Sequence, residues 1–211
     1  MLLAFDTATA WITACVYDED SDAVLAERNG VGPMKHGELL APAIAEVMAE
    51  AGIVRQDLTA LVVGVGPGPY TGLRVGVVTA RTLGFTLQIQ VHGVCSLDAI
   101  ALVADEAEPF LVTTDARRKE LFWAAYDGDG RRLDGPFVDR PVDIPVDGRP
   151  VAGAGPDLYP GVFDRVIGPR DPAAAALARL VAGEGTELMD PEPIYLRRPD
   201  AVAPGKPKPV S

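Results

Sequence analysis

Residues 64–74, with the sequence GVGPGPYTGLR, are the stretch that decides the fold of this 211-residue chain. They begin in the apolar, strand-like run 61–65 and lead into a segment whose apolar residues have helical spacing. Glycine permits backbone geometry that other residues avoid and proline fixes it, so the stretch predicts a stiff loop between a buried strand and a helix. Pro69 stands where a dinucleotide fingerprint needs its third glycine, and no Lys-Ser or Lys-Thr pair follows as in a Walker loop. The generic phosphate-binding motifs are therefore excluded.

The composition indicates an acidic globular chain with a substantial core. Apolar residues make up 48% of it, and its formal net charge is −11. Nucleic-acid binders usually present a basic face, so we expect any contact with RNA to be made through a partner. Cys15 and Cys95 lie in apolar segments and indicate neither a disulfide framework nor a metal site. No apolar run is long enough to span a bilayer, which predicts a cytoplasmic protein with no membrane association.

The order of predicted elements favours an α/β fold with an N-terminal lobe over residues 1–107. Three strands come first and are followed by alternating helices and strands, which is the order of a ribonuclease H-like lobe. The predicted strands are 2–8, 12–18, 23–28, 61–65 and 89–94, and the predicted helices are 38–51, 71–83 and 97–106. Pro42 is compatible with the first helix only in or near its first turn.

The second half of the chain repeats the start of the first. Asp6 ends an apolar run and is followed eleven positions later by Tyr17, and Asp115 stands in the same relation to Tyr126. This common offset suggests a duplicated lobe. The second copy is reduced, because residues 136–150 are rich in proline and only one strand and one helix are predicted after them.

The reduced C-terminal lobe is predicted to cover residues 108–190, with the helix near 172–182 as its last element. Two interpretations are open for Gly153-Ala154-Gly155: the remnant of an adenosine-binding loop, or a turn that ends a strand. The remaining segment, 191–211, has many prolines and little core material, so we expect it to lie along the surface or to be disordered.

Four motifs, in this order, resemble those of the TsaB (YeaZ) family. They are Asp6-Thr7-Ala8-Thr9, Lys35-His36-Gly37-Glu38-Leu39-Leu40, the glycine stretch 66–74 and Pro193-Ile194-Tyr195-Leu196-Arg197. The resemblance covers nearly the whole chain, and the glycine stretch is highly specific. The resemblance implies an actin-like (ASKHA-type) pair of ribonuclease H-like lobes, of which the second is reduced. It also implies a role in forming N6-threonylcarbamoyladenosine beside the tRNA anticodon.

The resemblance further implies partners and an interface. In the TsaB family the two long helices of the first lobe meet the equivalent pair of the catalytic paralogue TsaD, and the same surface can form a homodimer when the protein is alone. A TsaE-like ATPase is a further expected partner, with tRNA reached only through the complex. The expected interface combines apolar residues of both helices with charged rim residues: Leu39, Leu40, Ala43, Ile44, Val47, Leu73, Val77 and Ala80, with Arg74 and Arg81 at the rim.

The paralogue TsaD holds a metal with two histidines in a Gly-Val-Asn-His-x-x-x-His stretch. In the matching stretch 93–100, Ser96 and Ile100 occupy the two histidine positions. Serine is a poor metal ligand and isoleucine cannot bind a metal, so we expect no metal site and no catalytic residue. The chain is then expected to be a scaffold without catalytic activity on its own.

Two enzyme hypotheses remain as alternatives to the scaffold role. Asp6 and Asp115 could position magnesium or water in an actin-like ATPase or small-molecule kinase, with Thr7 and Thr9 approaching a phosphate. Alternatively, Asp6 and its threonines cap a tight turn. A peptidase is the second enzyme hypothesis, but the sequence offers no nucleophile-base pair for it. No intrinsic cofactor is expected, although ATP or ADP with magnesium at the partner interface stays open.

Small residues recur every fourth position in the second predicted helix, at Gly72, Gly76, Ala80 and Gly84. Glycine inside a helix costs about 1 kcal/mol relative to alanine, so this stripe needs a packing reason. Close approach of another backbone is such a reason. That backbone belongs either to the chain's own sheet or first helix, or to a partner.

Overall fold

The chain contains two β-sheets, and each begins with an antiparallel hairpin. The computed structural model describes residues 1–32, 35–183 and 188–197. Short 3-10 turns at Arg55–Asp57 and Pro141–Asp143 lie outside the longer elements. In chain order these elements are β1 (Leu2–Asp6), β2 (Ile12–Asp18), β3 (Ala23–Val31), α1 (His36–Glu50), β4 (Ala60–Gly64), α2 (Tyr70–Leu87), β5 (Gln90–Val94), α3 (Ser96–Leu102), β6 (Phe110–Asp115), β7 (Leu121–Tyr126), β8 (Arg132–Asp139), β9 (Val151–Gly153), α4 (Gly155–Leu158) and α5 (Ala174–Ala182).

The second sheet repeats the strand order of the first, without its last strand. The first has the strand order β3-β2-β1-β4-β5, with β1 antiparallel to β2 and parallel to β4. The second has the order β8-β7-β6-β9, with β6 antiparallel to β7 and parallel to β9. Within the described residues, the second sheet therefore lacks a fifth strand, and a 3-10 turn stands where the first lobe has α1. The predicted duplicated ribonuclease H-like fold with a reduced second lobe is confirmed.

The first sheet is buried on both faces, which explains why its central strands read as continuous apolar runs. Successive side chains of a strand point to opposite faces. Leu3 and Phe5 of β1 accordingly pack under α1 and α2, whereas Leu2 and Ala4 pack against α5. The alanine-rich sequence of α5 suits this close packing on the sheet.

The location of α5 differs from expectation. This helix is predicted from the sequence to belong to the second lobe, but it packs on the first sheet. Its amphipathic pattern predicts a buried face and carries no information on which sheet that face covers. The predicted limits 1–107, 108–190 and 191–211 stay a prediction.

Helix α3 lies between the two sheets. Leu97 and Ile100 pack with Phe110 and Tyr126 of the second sheet. On the same helix, the Asp98 carboxylate accepts a hydrogen bond from the Tyr126 hydroxyl at 2.8 Å. Apolar packing and a buried polar contact therefore join the lobes through α3.

Several boundaries differ from the predictions in informative ways. Pro42 is the seventh residue of α1, beyond the first turn, where its ring removes the N–H that would bond to the carbonyl of Glu38. The third predicted helix ends at Leu102 rather than at residue 106. Gly153 ends β9 and Gly155 begins α4, a short helix that was not predicted.

Part of the tail is held against the folded lobes. The Ile194 N–H donates to the Val65 carbonyl at 2.8 Å, and the Arg197 guanidinium donates to the Ala116 carbonyl at 3.0 Å. Residues 191–197 thus lie along the surface, while 198–211 fall outside the described residues. No helix in the described part of the chain is both long and apolar enough to cross a membrane.

Thr7 ties the end of β1 to α2. Its hydroxyl donates to the Gly72 carbonyl at 2.8 Å and accepts the Gly76 N–H at 3.1 Å, the two groups that a regular helix joins to each other. A Cβ at Gly76 would lie only 2.4 Å from the Thr7 hydroxyl oxygen, and one at Gly84 would lie 2.2 Å from the Val91 side chain. The small-residue stripe therefore packs against the chain's own first sheet and the turn after β1, which is one of the two predicted explanations for it.

We expect Thr7→Val to lower the free energy of unfolding by about 1–3 kcal/mol, because it leaves the buried Gly72 and Gly76 groups without their side-chain partner. Urea denaturation measures the loss. Thr82→Val, at an exposed position on the same helix, is the matched control and is expected to change stability by less than about 0.5 kcal/mol. Equal stability of the two variants would contradict this role of Thr7.

Candidate functional site

The Asp6 carboxylate, which an ATPase of this fold would need, is closed inside the protein. Its side chain is 1% exposed. One oxygen accepts the Ala8 N–H at 2.5 Å, and the other accepts the Ser96 hydroxyl at 2.5 Å. A Cβ at Gly64 would lie 1.7 Å from this second oxygen, which explains the glycine at the end of β4. Asp6 therefore has the turn-capping role that was one of its two predicted interpretations.

Ser96 joins the glycine stretch to α3. Its hydroxyl accepts the Gly66 N–H at 3.1 Å, and its own N–H donates to the Gly66 carbonyl at 2.8 Å. Ile100, at the other position that matches a TsaD histidine, is fully buried in the core between the lobes. These two residues do not fit a metal ion.

A histidine and a cysteine, two further residue types that can take part in catalysis, are also buried: His36 and Cys95. His36 Nε2–H donates to the Thr9 carbonyl at 2.9 Å and so holds the turn after β1. Burial raises the pKa of the Cys95 thiol to about 12, so this cysteine stays protonated and is a poor nucleophile at neutral pH.

The four residues predicted to bind a nucleotide separate into two groups. Asp6 and Thr7 are buried and bonded within the first lobe. Thr9 and Asp115 line a cavity of about 180 Å³ between the two lobes. Asp115 there faces the Arg117 guanidinium at 3.0 Å. The structure thus brings together only one residue from each lobe, and nucleotide binding stays a prediction.

The predicted interface residues lie mostly in the core. Leu39 is half-buried, and Arg74 and Arg81 are exposed on α2. The other seven are buried between α1, α2 and the first sheet or the glycine loop: Leu40, Ala43, Ile44, Val47, Leu73, Val77 and Ala80. Their side chains are not on the surface, so this choice of contact residues is corrected. Whether the two helices meet a partner stays a prediction.

The outward face of α2 carries exposed apolar residues that are not among the predicted interface residues. Phe85 is 80% exposed and Val78 is 59% exposed. They line a groove of about 710 Å³ between α2 and the tail, which we call the α2 groove. Its lining residues are Arg74, Val77, Val78, Arg81, Thr82, Phe85, Glu192, Pro193 and Tyr195. The signal for this face was the spacing of Arg74, Val78 and Arg81 along the helix, one position displaced from the buried stripe.

One wall of the α2 groove is fixed by aromatic and cationic contacts. The Tyr70 and Tyr195 rings stack with 5.2 Å between their centroids. The Arg74 guanidinium lies 4.0 Å from the centroid of the Tyr70 ring, and its Nε–H donates to the Tyr195 hydroxyl at 3.0 Å. The tail is thereby attached to the helix, and contacts within the chain itself shape this wall of the groove.

Two adjacent valines of α2 test the assignment of its faces. We expect Val77→Arg to destabilise the protein by more than about 3 kcal/mol, because Val77 is 2% exposed and the change buries a charge. Val78→Arg is the matched control and is expected to change stability by less than about 0.5 kcal/mol. Thermal and urea unfolding measure both, and a folded Val77→Arg variant with near-normal stability would contradict the assignment.

Asp6 is expected to affect how stability depends on pH. Burial raises its pKa above 3.8, and the hydrogen bonds from Ser96 and Ala8 lower it only in part. The folded protein therefore holds this proton more tightly than the unfolded chain. The resulting stabilisation is complete below the unfolded pKa and is lost as pH rises through the folded pKa.

Asp6→Asn removes that titration while it keeps the shape of the side chain. Its free energy of unfolding should fall less between pH 4 and pH 8 than that of the unmodified protein, as measured by urea denaturation. Asp20→Asn, at an exposed position in the turn after β2, should retain the original pH dependence. An unchanged pH dependence in Asp6→Asn would show that folding does not raise the pKa of Asp6.

Comparison with known proteins identifies relatives over most of the chain. The family model for TsaD, described as tRNA N6-adenosine threonylcarbamoyltransferase, matches residues 17–144. An uncharacterized protein of Mycobacterium tuberculosis is 42% identical over 203 residues, which cover 95% of this chain and 93% of that protein. The tRNA threonylcarbamoyladenosine biosynthesis protein TsaB of Escherichia coli is 31% identical over 131 residues, covering 61% of this chain and 55% of TsaB.

The matched region thus spans just over half the length of that TsaB protein, and also 56% of an uncharacterized Mycobacterium leprae relative that is 43% identical. The solved structure of YeaZ from Pseudomonas aeruginosa superposes with a TM-score of 0.74 at 26% identity, covering 92% of this chain and 99% of YeaZ. A second structure, titled as an uncharacterized protein with similarity to peptidase YEAZ, gives a TM-score of 0.77 at 27% identity and covers 93% and 99% of the two chains. With its actin-like pair of ribonuclease H-like lobes, this chain belongs to the TsaB (YeaZ) family.

Proposed function

We propose that this chain is a non-catalytic scaffold subunit that binds and activates a TsaD-like paralogue in the formation of N6-threonylcarbamoyladenosine beside the tRNA anticodon. Relatives from Escherichia coli and Bacillus subtilis carry the name tRNA threonylcarbamoyladenosine biosynthesis protein TsaB, which supports a part in this modification. The observation that carries the scaffold role is the α2 groove.

The α2 groove has the composition of a protein interface. Phe85 and Val78 offer exposed apolar area in the groove, and Arg74 and Arg81 line it beside them. Interfaces usually combine an apolar centre with a polar rim, and aromatic residues and arginine contribute most of the binding energy. Because Tyr70 and Tyr195 already hold Arg74 in place, little side-chain freedom is lost when a partner binds.

Homology supports a TsaD-like protein as the occupant of this groove. The TsaD family model matches residues 17–144, which include both α1 and α2. Related chains can pair through equivalent faces, as two identical chains do across a two-fold axis. The same reasoning allows a homodimer through the α2 groove when the paralogue is absent.

The closed Asp6 site supports the non-catalytic part of the proposal. Both of its carboxylate oxygens accept hydrogen bonds from within the protein, and Ser96 and Ile100 do not fit a metal. The chemistry would then take place on the paralogue. A TsaE-like ATPase and tRNA would join through the complex, since a chain with a net charge of −11 is poorly suited to capture tRNA on its own.

Any nucleotide would accordingly belong to the complex. ATP or ADP with magnesium at the partner interface is part of the proposal, and an independent ATPase or kinase is the alternative. That alternative needs Asp6 to turn away from Ser96 and Ala8 and toward the cavity that Asp115 lines.

Phe85→Glu tests the groove directly. A charge at this exposed apolar position is expected to cost at least about 2 kcal/mol of binding energy, which is roughly a 30-fold weaker complex. Size-exclusion chromatography with light scattering should show co-elution of the unmodified chain with the TsaD paralogue of the same organism, and little or none for the variant. Threonylcarbamoyladenosine formation in the reconstituted system should fall in parallel.

Val142→Glu is the matched control, since Val142 is 76% exposed but lies in the second lobe. This variant should bind the paralogue like the unmodified chain. Equal binding by Phe85→Glu and Val142→Glu would reject the α2 groove as the interface. Failure of the unmodified chain to bind the paralogue at all, with or without ATP, would reject the scaffold proposal itself.

A further inference from the structure

Residues 189–197 run from the first lobe to the second, and we call this segment the strap. At its start, Met189 exchanges two backbone hydrogen bonds with Gly93 of the edge strand β5, at 2.8 and 2.9 Å. A Cβ at Gly93 would lie only 2.5 Å from the Asp190 carbonyl oxygen, so this glycine makes room for the strap. The start of the strap is therefore fixed to the edge of the first sheet.

The middle of the strap is fixed to the first lobe and to α2. The Ile194 N–H donates to the Val65 carbonyl at 2.8 Å, and the Ile194 side chain is partly buried against the cores on both sides of α3. The next residue, Tyr195, is 43% exposed. Its ring stacks on Tyr70 and its hydroxyl accepts the Arg74 Nε–H, so this part of the strap is a wall of the α2 groove.

The end of the strap is held by the second lobe. The Arg197 guanidinium donates to the Ala116 carbonyl at 3.0 Å and pairs with the Glu120 carboxylate. Both partners belong to the turn between β6 and β7. The side chains of Arg197 and Glu120 are 26% and 32% exposed, so the pair is partly shielded from water.

The two ends of this attachment are close together along the chain. Tyr195 and Arg197 are separated by one residue, so their Cα atoms lie within about 7 Å of each other. Exposed ring and cation contacts are individually weak, so Tyr70 and Arg74 alone would hold Tyr195 only loosely. The residues that line the α2 groove all belong to α2 and the strap, yet one end of its wall is held from the second lobe.

We propose that the second lobe positions the wall of the α2 groove through the strap, with Arg197 and Glu120 as positioning residues for the partner that binds there. This inference rests on the proposed function, because it takes the α2 groove as the binding surface. It gives the reduced second lobe a role that requires no catalysis. Anything that moves the turn between β6 and β7 would change the affinity of the groove.

Hydrogen–deuterium exchange of the isolated chain tests the strap without the paralogue. Glu120→Arg places a like charge beside Arg197, and exchange in peptides that contain Ile194 should become about two- to fivefold faster. Arg197→Ala should have the same effect. Adding Arg197→Glu to Glu120→Arg restores a pair of opposite charges and should return exchange to its original rate.

The affinity for the TsaD paralogue of the same organism, measured by isothermal titration calorimetry, tests the effect on the groove. The Kd should rise about 3- to 10-fold in Glu120→Arg and in Arg197→Ala, because the partner must then order the wall itself. The double variant Glu120→Arg with Arg197→Glu should bind normally. Melting temperatures should change by less than about 4 °C, since a partly exposed ion pair contributes little to stability.

Glu108→Arg is the matched control for both measurements. Glu108 pairs with Arg165 at 2.8 Å and does not contact the strap, so this variant should keep the original exchange and the original Kd.

Three results would overturn the inference: unchanged exchange at Ile194 in both Glu120→Arg and Arg197→Ala, faster exchange with an unchanged Kd, or no recovery in the double variant. Failure of the unmodified chain to bind the paralogue would instead reject the proposed function. The exchange measurements would then still decide whether the second lobe holds the strap.

Discussion

The contact between Thr7 and the glycines of α2 is the constraint on which the rest of the first lobe depends. A single hydroxyl accepts the N–H of Gly76 and donates to the carbonyl of Gly72, and only glycine leaves room for it. This contact brings α2 against the end of β1, and His36 at the start of α1 holds the same turn through the Thr9 carbonyl. The inner face of α2 is therefore occupied by the chain itself, and its outer face is exposed.

The same packing explains why the chain has the fold of an ATPase without its open carboxylate. Once the turn after β1 is fixed against α2, Asp6 points to Ser96 and to the Ala8 N–H and fills the space above Gly64. Fold alone does not establish activity, and in this chain both carboxylate oxygens of Asp6 accept hydrogen bonds from within the first lobe.

Much of the fold was predictable from local patterns. The apolar runs gave the strands of the first lobe, and the spacing from Asp6 to Tyr17 and from Asp115 to Tyr126 revealed the duplication that the two sheet orders confirm. The sequence could not decide which sheet α5 covers, because an amphipathic helix carries no record of its partner.

The buried and exposed faces of α2 were harder still to predict. Val77 and Val78 are adjacent and chemically identical, yet one is in the core and the other is on the surface. Apolar residues occur on both faces of this helix, so hydrophobic periodicity alone cannot separate the side that packs inward from the side that is exposed. The tail contact that forms one wall of the α2 groove joins residues 74 and 195, and no local pattern predicts such a distant pair.

Hydrogen–deuterium exchange of this chain, alone and with the TsaD paralogue of the same organism, tests the central claim most directly. Bound paralogue should slow exchange in peptides that cover α2 and residues 192–195, and should leave the second sheet unchanged. Slower exchange at the cavity between the lobes with no change at α2, or no change anywhere under conditions where the modification proceeds, would contradict the scaffold role of the α2 groove.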